Sequence, residues 1–305
     1  MNTHQRMQPN ADGLTNPVEG TVYWKWSKSL WYVAALLTTV ILAPLTISKG
    51  AVIISFVLTV TTLCLGHTIG MHRRLIHQSF ACPLWLEYVF VDAGVLVGIA
   101  GPFRIIYLHD IRDWSQRHPQ CHSFFIHTNA WWKDWWQQLH CDIRLAHPPQ
   151  FVIEDRVRNN RFYAMLDRTW MLQQIPLAVV LYLVGGIGWV VWGTGVRLLV
   201  SLTGHWLVGY MAHNHGRKHW HIEGAAVQGY NVRGFALLTM GESWHNNHHA
   251  FPESARLGLK AGEWDAGWLV LSALKRVGLV WNLATPETLP ERKERIELAP
   301  THDTP

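Results

Sequence analysis

His245, His248 and His249 stand at i, i+3 and i+4 within Gly241-Glu242-Ser243-Trp244-His245-Asn246-Asn247-His248-His249-Ala250-Phe251-Pro252. On a helix that spacing puts three imidazoles on one face, and imidazole suits iron, copper, zinc and nickel. The stretch therefore reads as a metal-binding face. A polar surface patch is the plainer alternative. It is a poor account of so tight a cluster, because each buried imidazole brings two nitrogens that need partners.

Further histidines fall into groups along the chain. His72-Arg73-Arg74-Leu75-Ile76-His77 follows directly on an apolar run. Its two histidines, at i and i+5, do not share an α-helical face, so both reach one centre only if the helix ends or bends between them. Two interfacial histidines beside Arg73 and Arg74 are the competing reading. His109, His118, His122 and His127 come next. His118 and His122 have helical i, i+4 spacing, but His118 precedes Pro119, which biases it away from the helical region. Cys121 could ligate metal, although a lone cysteine is more often a small buried residue. His213-Asn214-His215 closes an apolar segment, with His219 and His221 behind it. His205 lies about 12 Å deeper along that segment at ~1.5 Å per residue, and reads as a packing or tunnel residue. His140 and His147 read as ordinary polar residues.

The elements that must position these groups are apolar. Of 305 residues, 49% are hydrophobic, only 15% are charged and 18 are Trp, a residue favoured where membrane meets water. Leu30 to Ile47, Ala51 to Met71, Met171 to Trp192 and Gly195 to Ala212 are four runs of spanning length. Lys49-Gly50 turns the first into the second, and Gly193 separates the third from the fourth. Leu84 to Leu108 carries Glu87, Asp92 and Arg104 and a Gly98-Ile99-Ala100-Gly101-Pro102 break, so it reads as an interfacial or re-entrant segment. Trp131, Trp132, Trp135 and Trp136 suggest a helix at headgroup level.

Charge tests the topology independently of the histidines. Eleven Lys and Arg lie between the second and third runs and ten after the fourth, against one in the first turn and none in the second. Four passes with both termini and the large middle loop in the cytoplasm satisfy the positive-inside rule, and put all three histidine groups on one side. The net charge of +5 needs no nucleic-acid partner, since no basic run or nucleic-acid module is present. Cys64, Cys82, Cys121 and Cys141 form no CxxC pair, so disulfides are not expected, nor are the polar first 20 residues expected to form a cleavable signal.

Ala236-Leu237-Leu238-Thr239-Met240 followed by Gly241 to Pro252 resembles the third histidine box of the membrane-bound fatty acyl desaturases, the family of the stearoyl-CoA desaturases. Arg256-Leu257-Gly258, Glu263-Trp264-Asp265 and Gly278-Leu279-Val280-Trp281-Asn282-Leu283 are similar to its C-terminal pattern, and His72 to His77 resembles its first box. The similarity runs from about Leu30 to Leu283. It implies an all-α integral membrane protein with four transmembrane helices and a helical cytoplasmic cap carrying the metal centre. It further implies two iron ions, dioxygen as co-substrate, a fatty acyl substrate, most simply the CoA thioester, and electrons from a separate ferredoxin or b-type cytochrome with its reductase. Trp206-Leu207-Val208 with His213 resembles the segment that supplies one further ligand. The expected metal ligands are His72, His77, His118, His122, His213, His245, His248 and His249, with no other catalytic or cofactor-binding residue.

Two departures stand out. The family's second box is His-Arg-x-His-His, and no such string occurs here; His109, His118 and His122 are the available replacements, of which His118 and His122 are preferred. The family's Asn that holds a metal-bound water corresponds to Gly209. An altered metal shell leaves hydroxylation or oxidative decarboxylation on the same scaffold as alternatives, with a non-catalytic zinc protein more remote because structural zinc favours cysteine. Residues 1–28 are expected to form a disordered tail, 29–285 the membrane domain with its cap and 286–305 a loose tail, in a bacterial inner membrane.

Overall fold

The computed structural model describes residues 3–127 and 130–299 of the chain. Long apolar helices form one end of the molecule, and shorter helices with three small antiparallel strand pairs form the other. The strand pairs qualify the all-α expectation, although the described residues remain mostly helical. Residues 300–305, part of the C-terminal segment expected to be loose, lie outside the described residues.

The first apolar run is the Trp26–Leu37 helix, which continues through a π-helical turn at Thr38–Leu42. Pro44 then breaks the winding. Ser48 starts the next helix by accepting a hydrogen bond from the Ala51 N–H at 3.1 Å, as an N-cap does. That helix, Lys49–Ile76, is 28 residues long, and its winding changes from α to π at Thr62.

The third and fourth runs are continuous over Gln174–Asn214, but the chain reverses within them at Gly186, not at Gly193 as the sequence suggested. Gly186 has φ 69° and ψ −166°, a conformation that L side chains disfavour. Gln174 Oε1 accepts a hydrogen bond from Arg197 Nη2; in one straight helix those residues would be about 34 Å apart at ~1.5 Å per residue. The bond therefore ties together the two legs of a hairpin whose midpoint is Gly186.

Both hairpin tips meet at one end. Trp192 Nε1 donates to the Ala43 carbonyl at 3.2 Å, and Gly50 lies against the Trp189 indole. From Gly50 to His72 and from Trp189 to His213 the helices rise roughly 30–35 Å at ~1.5 Å per residue, about the thickness of a bilayer's hydrocarbon core. Lys49–Ile76 and Gln174–Asn214 are long and apolar enough to cross a membrane. Their outward residues stay exposed, among them Phe56 at 68% and Leu183 at 77%, whereas the core helix of a soluble protein would bury them.

The cap closes the opposite end. Leu84–Leu96 packs back along the π-helical segment, and Pro102–Gln116 follows after a turn that uses Gly98 at φ 86°. Met71, Leu75, Val91, Val95, Ile106, Tyr163 and Leu166 form the core between these helices and the Arg161–Thr169 helix. The N-terminal segment is part of the cap, not a disordered tail. Gly20–Trp24 pairs with Cys141–Leu145, Met7–Gln8 pairs with Gln150–Phe151, and Arg6 is fully buried with ion pairs to Asp110 and Glu154 at 3.0 and 2.7 Å. A guanidinium can be buried only when its donors are paired, so these carboxylates hold the segment in place. Similarly, Arg295–Glu297 pairs with Trp220–Ile222, so the C-terminal segment docks on the cap as far as it is described.

Candidate metal centre

The π-helical winding explains how His72 and His77 meet. An i→i+5 bond, His77 N–H to the His72 carbonyl at 3.0 Å, closes the last turn, so residues five apart come to lie on one side. Their ring centroids are 4.8 Å apart. π-Helical turns are rare and frequent at functional sites. His109, midway along Pro102–Gln116, brings its Nε2 within 3.2 Å of His77 Nε2. With His248, these form a group of four histidines whose ligating atoms all lie within 4.8 Å of one another.

A second group joins His213, at the end of the Arg197–Asn214 helix, to His245 and His249. His245 Nε2 is 3.1 Å from His213 Nε2 and 3.0 Å from His249 Nε2. The short His245–Ala250 helix therefore serves both groups. Its residues at i and i+4 enter one and its residue at i+3 enters the other, where the sequence suggested a single face.

The residues between these histidines fix the helix from behind. Asn231 Oδ1 accepts from the backbone N–H groups of Asn246 and Asn247 at 3.0 and 3.2 Å, and Asn231 Nδ2 donates to Asn247 Oδ1. Asn246 bridges Trp220 and Gly229, and Asn247 reaches Leu257 and Glu263. Two carboxylates stand beside the rings of the first group. His72 Nδ1 lies 2.6 Å from Glu242 Oε2, and His109 Nδ1 lies 3.2 Å from Asp110 Oδ1. Such partners fix the tautomer and aim of a ligating ring. Burial favours a neutral Glu242, but His72 and then Arg73 outweigh it and hold the carboxyl down at about 2.

Burial also keeps four of these imidazoles neutral. His77, His245 and His248 are held well below the ordinary imidazole value, chiefly by desolvation and then by their histidine neighbours. For His249 desolvation dominates and the value falls to about 4. His245 Nε2 faces both His213 Nε2 and His249 Nε2, at 3.1 and 3.0 Å, and a neutral ring nitrogen is either a donor or an acceptor, so one tautomer of His245 cannot donate to one neighbour and accept from the other. A cation among them removes that conflict, and a nitrogen-rich set fits a first-row transition metal. The donors thus fit the two irons implied by the histidine boxes.

The preference for His118 and His122 as second-box ligands is not met, because neither belongs to a group. The Pro102–Gln116 helix ends before Pro119. His118 Nδ1 turns back to the Trp114 carbonyl at 2.8 Å, and His122 Nδ1 accepts from the Phe124 N–H at 3.1 Å. Of the three available replacements, His109 is the one that lies in a group. His127, beside Gly209, stacks on His213 with centroids 5.3 Å apart, and its nitrogens contact Asp134 and Arg112. His147 lies at the cap's edge near Glu19, and His221 in the Trp220–Ile222 strand.

No family model matches the chain. Curated proteins do. It is 32% identical to the chloroplastic palmitoyl-monogalactosyldiacylglycerol delta-7 desaturase of Arabidopsis thaliana over 96% of this chain and 78% of that protein. It is 33% identical to an sn-1 stearoyl-lipid 9-desaturase of Synechocystis over 78% and 73% of the two chains, and 28% identical to an acyl-CoA C20 Delta5-desaturase of Anemone leveillei over 88% and 86%. The chain belongs to the fatty acyl desaturase family and is a fatty acid desaturase. A non-catalytic zinc protein is thereby set aside.

Proposed function

We propose that the chain is a four-pass membrane enzyme that introduces a double bond into a long acyl chain with dioxygen, at two irons. His72, His77, His109 and His248 would hold one, and His213, His245 and His249 the other. The observation that carries this reading is the convergence of seven histidines from four separate parts of the chain into two adjacent groups. When bound, the metal pair would supply the activation of dioxygen and the removal of hydrogens from adjacent carbons. The protein's share is to keep the ligands neutral and aimed and to place the acyl chain beside them. Two electrons would come from a separate ferredoxin or b-type cytochrome with its reductase.

The two hairpins would cross the bilayer with their tips on one side and the cap, both termini and both histidine groups on the cytoplasmic side. Positive-inside charge and the rise between tips and histidines support this arrangement. The relatives' names divide between lipid-linked and CoA-linked acyl chains, so the substrate is a fatty acyl group and the assay should offer both forms. Membranes carrying the protein, given dioxygen, reductant and each donor, are expected to yield an acyl product lighter by two hydrogens. Absence of unsaturated product from every donor contradicts the reading. The second box, which departs from His-Arg-x-His-His, motivates hydroxylation or decarboxylation as a second reading, which oxygen incorporation or loss of the carboxyl carbon would reveal.

A further inference from the structure

We propose that His67 and His205 form a hydrogen-bonding subsite in the path of the acyl chain, so that the preferred substrate carries a hydroxyl on the methyl side of the carbons that react. The inference rests on the reading of the histidine groups as the centre of a desaturase, and deepens it by naming the substrate class.

His67, His72 and His77 stand at i, i+5 and i+10 on the π-helical segment Thr62–Ile76 and its C-cap, and so share one side. His205, Gly209 and His213 stand at i, i+4 and i+8 on the Arg197–Asn214 helix, and share one face. The members of both stripes nearest the cap belong to the histidine groups. The deeper members face each other across the gap between the helices. The His67 and His205 rings meet edge to face at 5.1 Å, and the His67 ring lies 6.5 Å from that of His72. The gap is open between this pair and His213, since a Cβ added to Gly209 would meet only the His127 ring, at 3.7 Å. His205 is exposed although it faces His67, so protein does not fill the space beside it. With the substrate's headgroup at the cap, the part of the chain beyond the metals, its methyl side, runs past the two imidazoles.

An apolar tail needs no polar wall. Among the described residues neither ring has a hydrogen-bond partner, and unpaired polar groups at membrane depth are costly and mark functional sites. A neutral imidazole offers one donor and one acceptor nitrogen. A hydroxyl both donates and accepts, so a single one beside the two rings serves both. A site built to hold a hydroxyl rejects the chain that lacks it, because its own polar groups are then left unpaired.

The test is competition binding to the metal-free full chain in detergent, with a radiolabelled stearoyl probe displaced by stearoyl and by positional hydroxystearoyl chains, each as CoA thioester and as lipid ester. Product formation by the iron-loaded protein is read on the same panel. Wild type is expected to bind at least one methyl-side hydroxy isomer about 10-fold or more tighter than stearoyl, with no gain from hydroxyls on the carboxyl side. His67→Leu with His205→Leu should bring the two affinities within about two-fold, whereas His67→Gln, which keeps a donor and an acceptor, should retain part of the preference. Each ratio is measured within one preparation, so partial misfolding does not mimic the result. Equal binding of all chains by wild type, as expected if the pair holds only water, overturns the proposal, and so does an undiminished preference in the double leucine variant. Failure of the underlying desaturase reading is distinguishable, because it appears as no unsaturated product from any chain whatever the binding ratios.

Discussion

The imidazoles of His77, His245, His248 and His249 can act as ligands because desolvation keeps protons off them. His248→Ala and His249→Ala are each expected to lower iron content and reduce desaturation by about 100-fold or more, since loss of even an outer-shell partner typically costs about 10–100-fold. His147→Ala and His221→Ala should leave both unchanged. His109→Ala should behave like the box histidines, and His118→Ala and His122→Ala like the tolerated ones; measured turnover in the reverse order would contradict the geometry.

The pH dependence follows from the same burial. These four histidines have folded-state values below about 6.5, the ordinary imidazole value, so the unfolded chain takes up protons first as pH falls. The metal-free protein should therefore lose stability as pH drops from about 6.5 toward 4, the value reached by His249. A melting temperature in detergent that stays level or rises over that window would contradict it. The third box was legible because its histidines stand at i, i+3 and i+4. His109 was not, because it has no histidine three or four residues away, whereas His118 and His122 have helical spacing on a segment that Pro119 keeps out of the helix. The proline was the usable signal.

At the level of elements, the π-helical segment Thr62–Ile76 accounts for what the i, i+5 spacing of His72 and His77 left open. Its placement depends on close backbone approach. A Cβ on Gly66 or Gly70 would lie 2.3 Å from the Ala93 backbone or 2.4 Å from the Phe90 carbonyl oxygen, so the Leu84–Leu96 helix would have to move. Gly70→Ala is expected to cost at least roughly 1–3 kcal/mol, as overpacking does, and to lower iron content with it. Unchanged melting and full iron loading would show that the contact is not needed. Four apolar runs were visible in the sequence, but their joints were not. Hydropathy is continuous through Gly185-Gly186 and Gly193, and only the backbone conformation at Gly186 decides between them.

For the whole molecule, the two hairpin tips lie at one end and the histidine groups at the other. In a background without native cysteines, Leu45→Cys at a tip and Lys293→Cys on the cap should label from opposite sides of a sealed membrane with an impermeant maleimide; labelling from the same side would refute the four-pass arrangement. The N-terminal segment shows the limit of composition at this scale. Its prolines and glycines suggested a tail, yet Arg6 is anchored by Asp110 and Glu154, 104 and 148 residues away, and no local pattern reveals such distant partners.

The central claim is that the two histidine groups form a di-iron centre that desaturates an acyl chain. The most direct test is to express the chain in a host lacking its own desaturase and measure iron per chain and acyl products on the same preparation, beside His248→Ala. About two irons with a new double bond in wild type, and loss of both signals in the variant, is the expected result. Desaturation by a preparation free of iron, or full iron and turnover in His248→Ala, would contradict the account.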